Sequence, residues 1–376
     1  MLLVESFVKK AVNRARSMSE ESAYKPHTKE DEEISALLAE TQAKIKVIGV
    51  GGGGCNTIQR MKEVGIIGAE TIAINTDAQD LLYTDSDKKI LIGKETTRGL
   101  GSGSEPQVGE AAARESLEEL SGLMKGADLI FITCGEGGGT GTGAAPIVAE
   151  IAKEMKALTI GVVTLPFTVE GKRRGQNAMD GLTKLREHVD TLIVIPNDKI
   201  LEIAPDLPLN AAFKVADEVL TNAVKGITEL VTKPGLINLD FADLRTILKK
   251  GGAAMIGLGE SRNEEASEVR ALEAVENALT SPLLDVDISG AKRALVNVIG
   301  GNDMTLREAE MIVETVSSKI HGDAHIIWGA MIDESFSKNQ IQAMVVIAGG
   351  SFPYLKDLEK GSKEGSTIDL DIDFTG

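Results

Sequence analysis

The chain has 376 residues, 42% of them hydrophobic, and a formal net charge of -17 at pH 7. At roughly 100–200 residues per domain this is room for two core-bearing domains, and the acidic balance argues against DNA or RNA as partners, which are held by Lys and Arg set against phosphates. No apolar run approaches the ~20 residues of a membrane-crossing helix, so a soluble, cytoplasmic protein is expected, with Cys55 and Cys134, the only cysteines, as free thiols in structural roles.

Residues 1–43 form a polar extension whose first turns carry an apolar stripe, Leu2, Leu3, Phe7, Val8, Ala11 and Val12, beside Lys9, Lys10, Arg14 and Arg16. The charges follow the apolar part instead of preceding it, unlike those of a secretory signal. The stripe suits a helix lying on a membrane or partner surface, or one packed on its own domain, or a frayed end.

From Lys44 the pattern turns regular. Residues 45–50 read as a buried strand, Gly51 to Asn56 as a tight turn, and the residues from there to about Val64 as a helix. A second strand at 71–75 ends in Thr76 and Asp77. Gly49, Gly51 and Gly54 satisfy G-x-G-x-x-G, with Asp77 about where a dinucleotide-binding acid falls, which taken alone suggests NAD.

Two more glycine loops weaken that reading. One runs from Thr97 to Gly103; the other is CGEGGGTGTG at 134–143, set between an apolar run at 127–133 and a helical stretch at 144–155. Five glycines in the seven residues 137–143 are more than a turn needs. Glycine backbone can come close to a ligand, its N–H groups and the positive end of a following helix suit phosphate oxygens, and Thr140 and Thr142 add hydroxyl donors. Three such loops at the ends of successive βα units would surround one polyphosphate from several sides. No G-x-x-x-x-G-K-[ST] occurs, so no lysine is pre-placed on the phosphates.

A strand at 158–165 is followed by Glu170, able to accept from ribose hydroxyls, and Arg174, able to meet a phosphate or base edge or simply part of a solvated Lys172-Arg173-Arg174 patch. A strand at 191–195 ends at Pro196 and Asn197. Apolar residues repeating about every 3.5 positions from Leu209 to Val231 predict a long, largely buried helix joining the two halves. Phe213 and Asp217, four apart, share a face near its start. A purine could stack on Phe213 while Asp217 accepts from two adjacent donors, which guanine offers and adenine does not.

The next segment supplies Asn238, Asp240 and Asp243. The spacing of the two acids is also that of a helix N-cap with an acid near the positive helix end. From Asp217 to Asn238 the chain covers roughly 30 Å of mostly helix, so these side chains are not expected to touch a nucleotide held by their own chain. Beyond them, strands at 253–259, 294–300, 325–332 and 341–348 alternate with helices at 265–280 and 305–320, the second opened by a Thr305/Glu308 capping box. His321 and His325 fall where that helix should have ended, which argues against a metal site. After Gly349 a polar linker leads to IDLDIDF at 368–374, whose alternation suits a strand added to a partner's sheet or a disordered end.

With these glycine loops, the central helix and the Asn238 to Asp243 segment, residues from about 44 to 349 closely resemble the FtsZ family, the tubulin-like cell-division GTPases of prokaryotes, most specifically in GGGTGTG at 137–143. The resemblance implies an α/β fold with a parallel-sheet, Rossmann-like GTPase domain at 44–206, a long central helix at 207–233, a smaller α/β domain with the catalytic loop at 234–350 and a flexible tail at 351–376. It implies that Gly52, Gly53, Gly54, Cys55 and Asn56, with Gly138, Gly139, Thr140, Gly141 and Thr142, hold the phosphates of GTP and that Mg2+ sits on those phosphates. Glu170 and Arg174 would contact ribose and nucleotide, Asn197, Phe213 and Asp217 would hold guanine, and Asn75 and Asp77 would line the site. Asn238, Asp240 and Asp243 would enter the site of the next subunit in a head-to-tail protofilament, where the acids position water.

The implied partners are further copies of the chain and a membrane-anchoring division adaptor bound through 368–374; the implied role is assembly-activated GTP hydrolysis at a mid-cell division ring. Cys55 stands where the family commonly has glycine or asparagine, and the long amino-terminal extension, short linker and final acidic peptide also depart from the family pattern. A tubulin-like GTP-binding scaffold for cell shape with little hydrolysis, and an NAD-dependent oxidoreductase, are the alternatives.

Overall fold

The computed structural model describes residues 43–349 apart from 204, 234, 250, 265–266 and 285–286. The amino-terminal stripe and the peptide at 368–374 therefore lie outside the described residues. Strands β1 (Ile45–Val50), β2 (Ala69–Asn75), β3 (Lys88–Leu91), β4 (Leu129–Gly135), β5 (Leu158–Leu165) and β6 (Thr191–Pro196) pair in the order β3-β2-β1-β4-β5-β6, all parallel. The central strands are apolar and buried almost throughout, as parallel strands covered on both faces must be. From β1 the chain runs outward to β3 and then returns to the other side of β1. Such a reversal opens a crevice at the carboxyl ends of the strands, and the register, with Val50 beside both Ile74 and Cys134, keeps those ends level.

The helices of this half are α1 (Gly51–Val64), α2 (Ala78–Tyr83), α3 (Lys94–Thr97), α4 (Pro106–Glu115), α5 (Leu117–Met124), α6 (Thr140–Glu154), α7 (Lys172–His188) and α8 (Asp198–Ile203). Two of them start earlier than the sequence suggests. α1 begins at Gly51 without an intervening turn, and α6 begins inside the glycine run at Thr140 instead of after it. Glycine in a helix costs about 1 kcal/mol against alanine, but here it permits contact. A Cβ on Gly143 would stand 2.0 Å from the carbonyl oxygen of Pro106, where α4 crosses α6.

Helix α9 (Leu209–Thr232) follows and buries Ala212, Ala216, Leu220, Ala223, Val224, Ile227 and Leu230. Their neighbours come from both halves of the chain: Ile58, Met61, Phe131 and Ile160 on one side, Leu295, Ile327 and Met344 on the other. At its middle, Asn297 Nδ2 donates to the carbonyl oxygen of Gly226 at 3.1 Å. After the short helix α10 (Phe241–Leu248) come β7 (Gly252–Ser261), α11 (Ser267–Leu279), β8 (Arg293–Gly300), α12 (Leu306–Lys319), β9 (His325–Ile332) and β10 (Ile341–Ala348), within a few residues of the elements expected. The Thr305/Glu308 capping box opens α12. These strands run β7-β10-β8-β9, with β10 antiparallel to β7 and β8. A short parallel pairing, Thr191 to Ile193 against Gly252 to Ala254, joins β6 to β7 and makes one ten-stranded sheet among the described residues. None of the described helices is long and apolar enough to cross a membrane.

Candidate functional site

The crevice at the reversal point is a cleft of about 630 Å3, within the range of small-molecule sites. Two helices begin at one end of it. Neither α1, with Val50 as N-cap, nor α6, with Gly139 as N-cap, has a side-chain cap or an acid in its first turn. The first N–H groups of a helix have no partner within it, and Gly52, Gly53, Thr140 and Gly141, which carry such groups, line the cleft together with Asn56, Gly138 and Gly139. Glycine is required for the two loops to meet: Gly51 has φ 72°, and a Cβ on it would lie 2.7 Å from the backbone nitrogen of Gly141. Two converging, uncapped helix N-termini are an anion site.

Hydroxyl groups tie two of the glycine loops to each other and to the end of β2. Thr140 Oγ1 is 2.6 Å from Thr76 Oγ1, at the end of β2, and 2.9 Å from Ser102 Oγ, in the third loop. Gly101, Ser102 and Ser104 line the cleft, so that third loop is brought to the other two. Asn75 and Asp77, also in the wall, shape its edge: Asn75 Oδ1 accepts from Thr76 N–H at 2.8 Å, and Asp77 Oδ1 caps α2 by accepting from Gln79 and Asp80 N–H. Asp80 joins them in the wall, its carboxylate accepting from Asn75 Nδ2 at 2.6 Å. Burial, and after it the charge of Asp77, push the Asp80 carboxyl above its ordinary range. Two acids in mutual repulsion beside an anion site suit a hard divalent cation with oxygen ligands. Among the described residues no group of three or more His, Cys, Asp or Glu could hold a metal, so such a cation would depend on the anion for its remaining ligands.

The opposite end is shaped for a flat ring. Phe213 on α9 is 38% exposed and meets Phe167 edge to face at 5.0 Å between centroids, leaving a face free for stacking. Asp217, one turn on, takes a weak hydrogen bond from Thr57 Oγ1 at 3.4 Å, and burial pushes its carboxyl up to about 7. Asn197 is 4% exposed and its Oδ1 has no partner. A buried acceptor without a partner beside a carboxyl held by one weak hydrogen bond, at the edge of a stacking face, calls for a ligand with N–H donors. Between the two ends, Glu170 and Arg174 lie in the wall, paired with each other. Glu170 Oε1 also accepts from Phe167 N–H at 2.8 Å, which fixes the turn that carries it.

Three of the residues expected here lie behind the wall. A Cβ on Gly54 would stand 2.6 Å from the carbonyl oxygen of Thr133, so this glycine seats α1 on β4. Cys55 is fully buried, and burial pushes its thiol up to about 12. Thr142 Oγ1 accepts from Gly137 N–H at 2.8 Å and thereby pins the glycine run. Asn238, Asp240 and Asp243 are not in the cleft. They are exposed side chains beyond the far end of α9, where Asn238 Oδ1 accepts from Gly235 N–H at 2.5 Å and Asp240 caps α10 by accepting from Asp243 N–H at 2.8 Å. The helix-cap pattern legible in the sequence is thus their conformation within one chain.

Sequence reasoning missed Asp80, Glu136 and Thr164, which also line the cleft. Asp80 had a signal, three residues beyond a capping Asp77 and so on the first turn of a helix; Glu136 stood in view inside the glycine run, but nothing local shows that it points inward.

Comparison with known proteins gives the same outline. The family model described as "Tubulin/FtsZ family, GTPase domain" matches residues 44–205, and "FtsZ family, C-terminal domain" matches residues 252–351. "Cell division protein FtsZ 1" of Thermococcus kodakarensis is 57% identical, covering 97% of this chain and 98% of that protein. The solved structure "FtsZ dimer, empty (M. jannaschii)" superposes with a TM-score of 0.81 at 58% identity, covering 86% of this chain and 93% of the other. CetZ1 from Haloferax volcanii, solved as a GDP-bound monomer, shares the fold with a TM-score of 0.74 at 23% identity over 86% of this chain and 99% of its own.

Proposed function

The chain belongs to the FtsZ family of tubulin-like GTPases, and from that premise we propose that it binds GTP in the cleft and hydrolyses it only when copies stack head to tail. The observation that carries this reading is a separation. The anion site and the ring site share one cleft, whereas the exposed carboxylates of Asp240 and Asp243 stand outside it, beyond the far end of a 24-residue helix that spans about 36 Å at 1.5 Å per residue.

In this reading the N–H groups that open α1 and α6 receive the phosphates, Phe213 stacks on guanine, and Asp217 accepts from its N1–H and exocyclic amine. Asn197 offers both an acceptor and an amide donor to the same base. Asp77 and Asp80, with the phosphates, would hold magnesium, which supplies charge neutralisation on the β- and γ-phosphate oxygens. Asn238 of the preceding subunit helps orient the attacking water, and the Asp240 and Asp243 carboxylates take its proton as the bond to the γ-phosphorus forms and that to the β-γ bridging oxygen breaks. GTP and water give GDP and phosphate. Exposed apolar side chains stand at both ends, Leu100 and Val169 at the cleft rim and Leu236 beside Asn238, as a contact between two different surfaces requires. A heterologous contact of this kind propagates into a filament unless it closes into a ring. We assign the filament to the cell-division site, anchored by an adaptor that binds residues 368–374.

Phosphate release measured over a dilution series tests the two-subunit site. Turnover per subunit is expected to rise through a threshold concentration; turnover independent of concentration would show that each copy is complete alone.

A further inference from the structure

At the foot of the glycine run sits a carboxyl group that the proposed reaction does not use. Glu136 follows β4, and its N–H donates to the carbonyl oxygen of Thr164 on β5 at 2.9 Å. Its side chain is 4% exposed, yet it lies in the wall of the cleft. Oε1 accepts from Cys134 Sγ at 3.6 Å, and Oε2 has no partner. α7 closes over it without a side chain, since a Cβ on Gly181 would come within 2.4 Å of Glu136 Oε2.

Among the described residues it has no cationic partner. From β4 it faces the Cys134 thiol, while β5 holds its backbone through Thr164. α6 presents the Thr142 hydroxyl and no acid in its first turn. On α7, Arg174 pairs with Glu170, Arg173 with Glu105 and Lys184 with Glu110, Lys172 and Arg186 are engaged in interactions of their own, and Asp180 lines an adjoining groove with Asn177 and Gly181. A buried, uncompensated carboxylate this close to an anion site meets like charge whenever the site is filled.

We propose that Glu136 is a proton-coupled positioning residue of the phosphate loop, taking up one proton when a nucleoside polyphosphate binds. The proposal rests on the reading of the cleft as a GTP site. In the free protein, burial alone pushes this carboxyl up to about 7, so above that pH it is mostly ionised. Phosphates bound to the same loop favour the neutral form further, and binding above pH 7 therefore draws a proton from solution. Thr142 carries the effect to the loop: its hydroxyl adjoins the carboxyl and its oxygen takes the Gly137 N–H. Asp217 titrates with the opposite sign, because guanine donors favour its carboxylate. Affinity for guanine nucleotide is accordingly greatest near pH 7, with an acid limb set by Asp217 and an alkaline limb set by Glu136.

Calorimetric titration of the full chain with GDP, in two buffers of different ionisation enthalpy at about pH 8, reads the proton directly. At that pH Asp217 is already ionised and contributes little. The wild type is expected to take up about one proton per GDP and to lose up to about tenfold in affinity between about pH 7.5 and about pH 8.5. Glu136→Gln is expected to take up none and to keep its affinity over the same range, its acid limb unchanged. Glu136→Met, which fills the space with an apolar chain, provides the same reading should the glutamine variant fail to fold. Equal proton uptake and equal alkaline weakening in wild type and variants would overturn the proposal. Wild-type protein that binds no GDP at any pH would overturn the cleft assignment, and the proposal with it.

Discussion

A buried carboxyl, Glu136, and a half-buried one, Asp217, at opposite ends of the cleft are held up to about 7 by the same cause, loss of hydration, and their consequences differ because their neighbours differ. Asp217 awaits donors, so Asp217→Asn, which puts an amide against the N–H groups of guanine, is expected to weaken GDP binding by about 2–3 kcal/mol, read by calorimetry. In the wild type, affinity is expected to fall as pH drops below about 7 and Asp217 takes a proton. The Glu136 carboxyl, at about 7 in the folded chain against the ordinary 4.5, holds its proton more tightly folded than unfolded. Its penalty is absent below about 4.5, grows as pH rises to about 7 and is complete above that. The stability difference between Glu136→Gln and wild type is thus expected to move in favour of the variant by about 2.5 kcal/mol between pH 5 and pH 8, measured by urea unfolding at both. An unchanged difference would mean that the carboxyl is solvated.

The phosphate loop owes its shape to helices that touch without side chains. Where α4 crosses α6, a Cβ on Gly109 would stand 2.4 Å from the carbonyl oxygen of Gly139, and one on Gly143 only 2.0 Å from that of Pro106. Both obstacles are backbone, which cannot turn aside as a side chain can. Gly143→Ala is therefore expected to cost about 1–3 kcal/mol of stability by overpacking and, by displacing the start of α6, to weaken nucleotide binding as well. Urea unfolding and GDP titration check the two effects, and a variant with native stability and affinity would show that the crossing yields easily. The contact also explains a boundary that sequence pattern misjudges. Glycines and threonines look like loop, but with α4 against them the segment from Thr140 is the first turn of α6. The helices α2, α4 and α5 escape periodicity because they are short, six, ten and eight residues, less than the stretch over which a 3.6-residue repeat stands out.

Across the whole molecule, α9 is the element that sets distances. Its buried stripe packs on strands of both halves, so the ring site at its start and the acids beyond its end are held apart by a rod that neither half can shorten. Asp240→Ala is expected to bind GDP as the wild type does while turnover falls by about 10²–10⁴-fold, the range for losing a general base. Asp217→Ala keeps its acids but loses its base site. Mixed, the two are expected to recover turnover well above the sum of their separate rates, because a cleft from one copy then meets a loop from the other. Phosphate release from the mixture checks this; no recovery would mean that cleft and acids act within one chain.

The strands, the glycine loops, the α9 stripe and the Phe213/Asp217 pair are legible in the sequence because each is written within a few turns or a few residues, where spacing and residue type suffice. Within the same window Asp240 and Asp243 read as a helix cap, which is what they form. Only the tertiary structure decided which loops meet: the Thr76, Thr140 and Ser102 hydroxyls converge from positions as far as 64 residues apart because strand order places β2, β1 and β4 side by side. It decided also that Asp80 faces the cleft, that Cys55 and Thr142 stand behind its wall, and that Glu136 is buried beneath the anion site without a counter-charge. Burial and partnership depend on what other segments bring to a point, and no single stretch of chain carries that information.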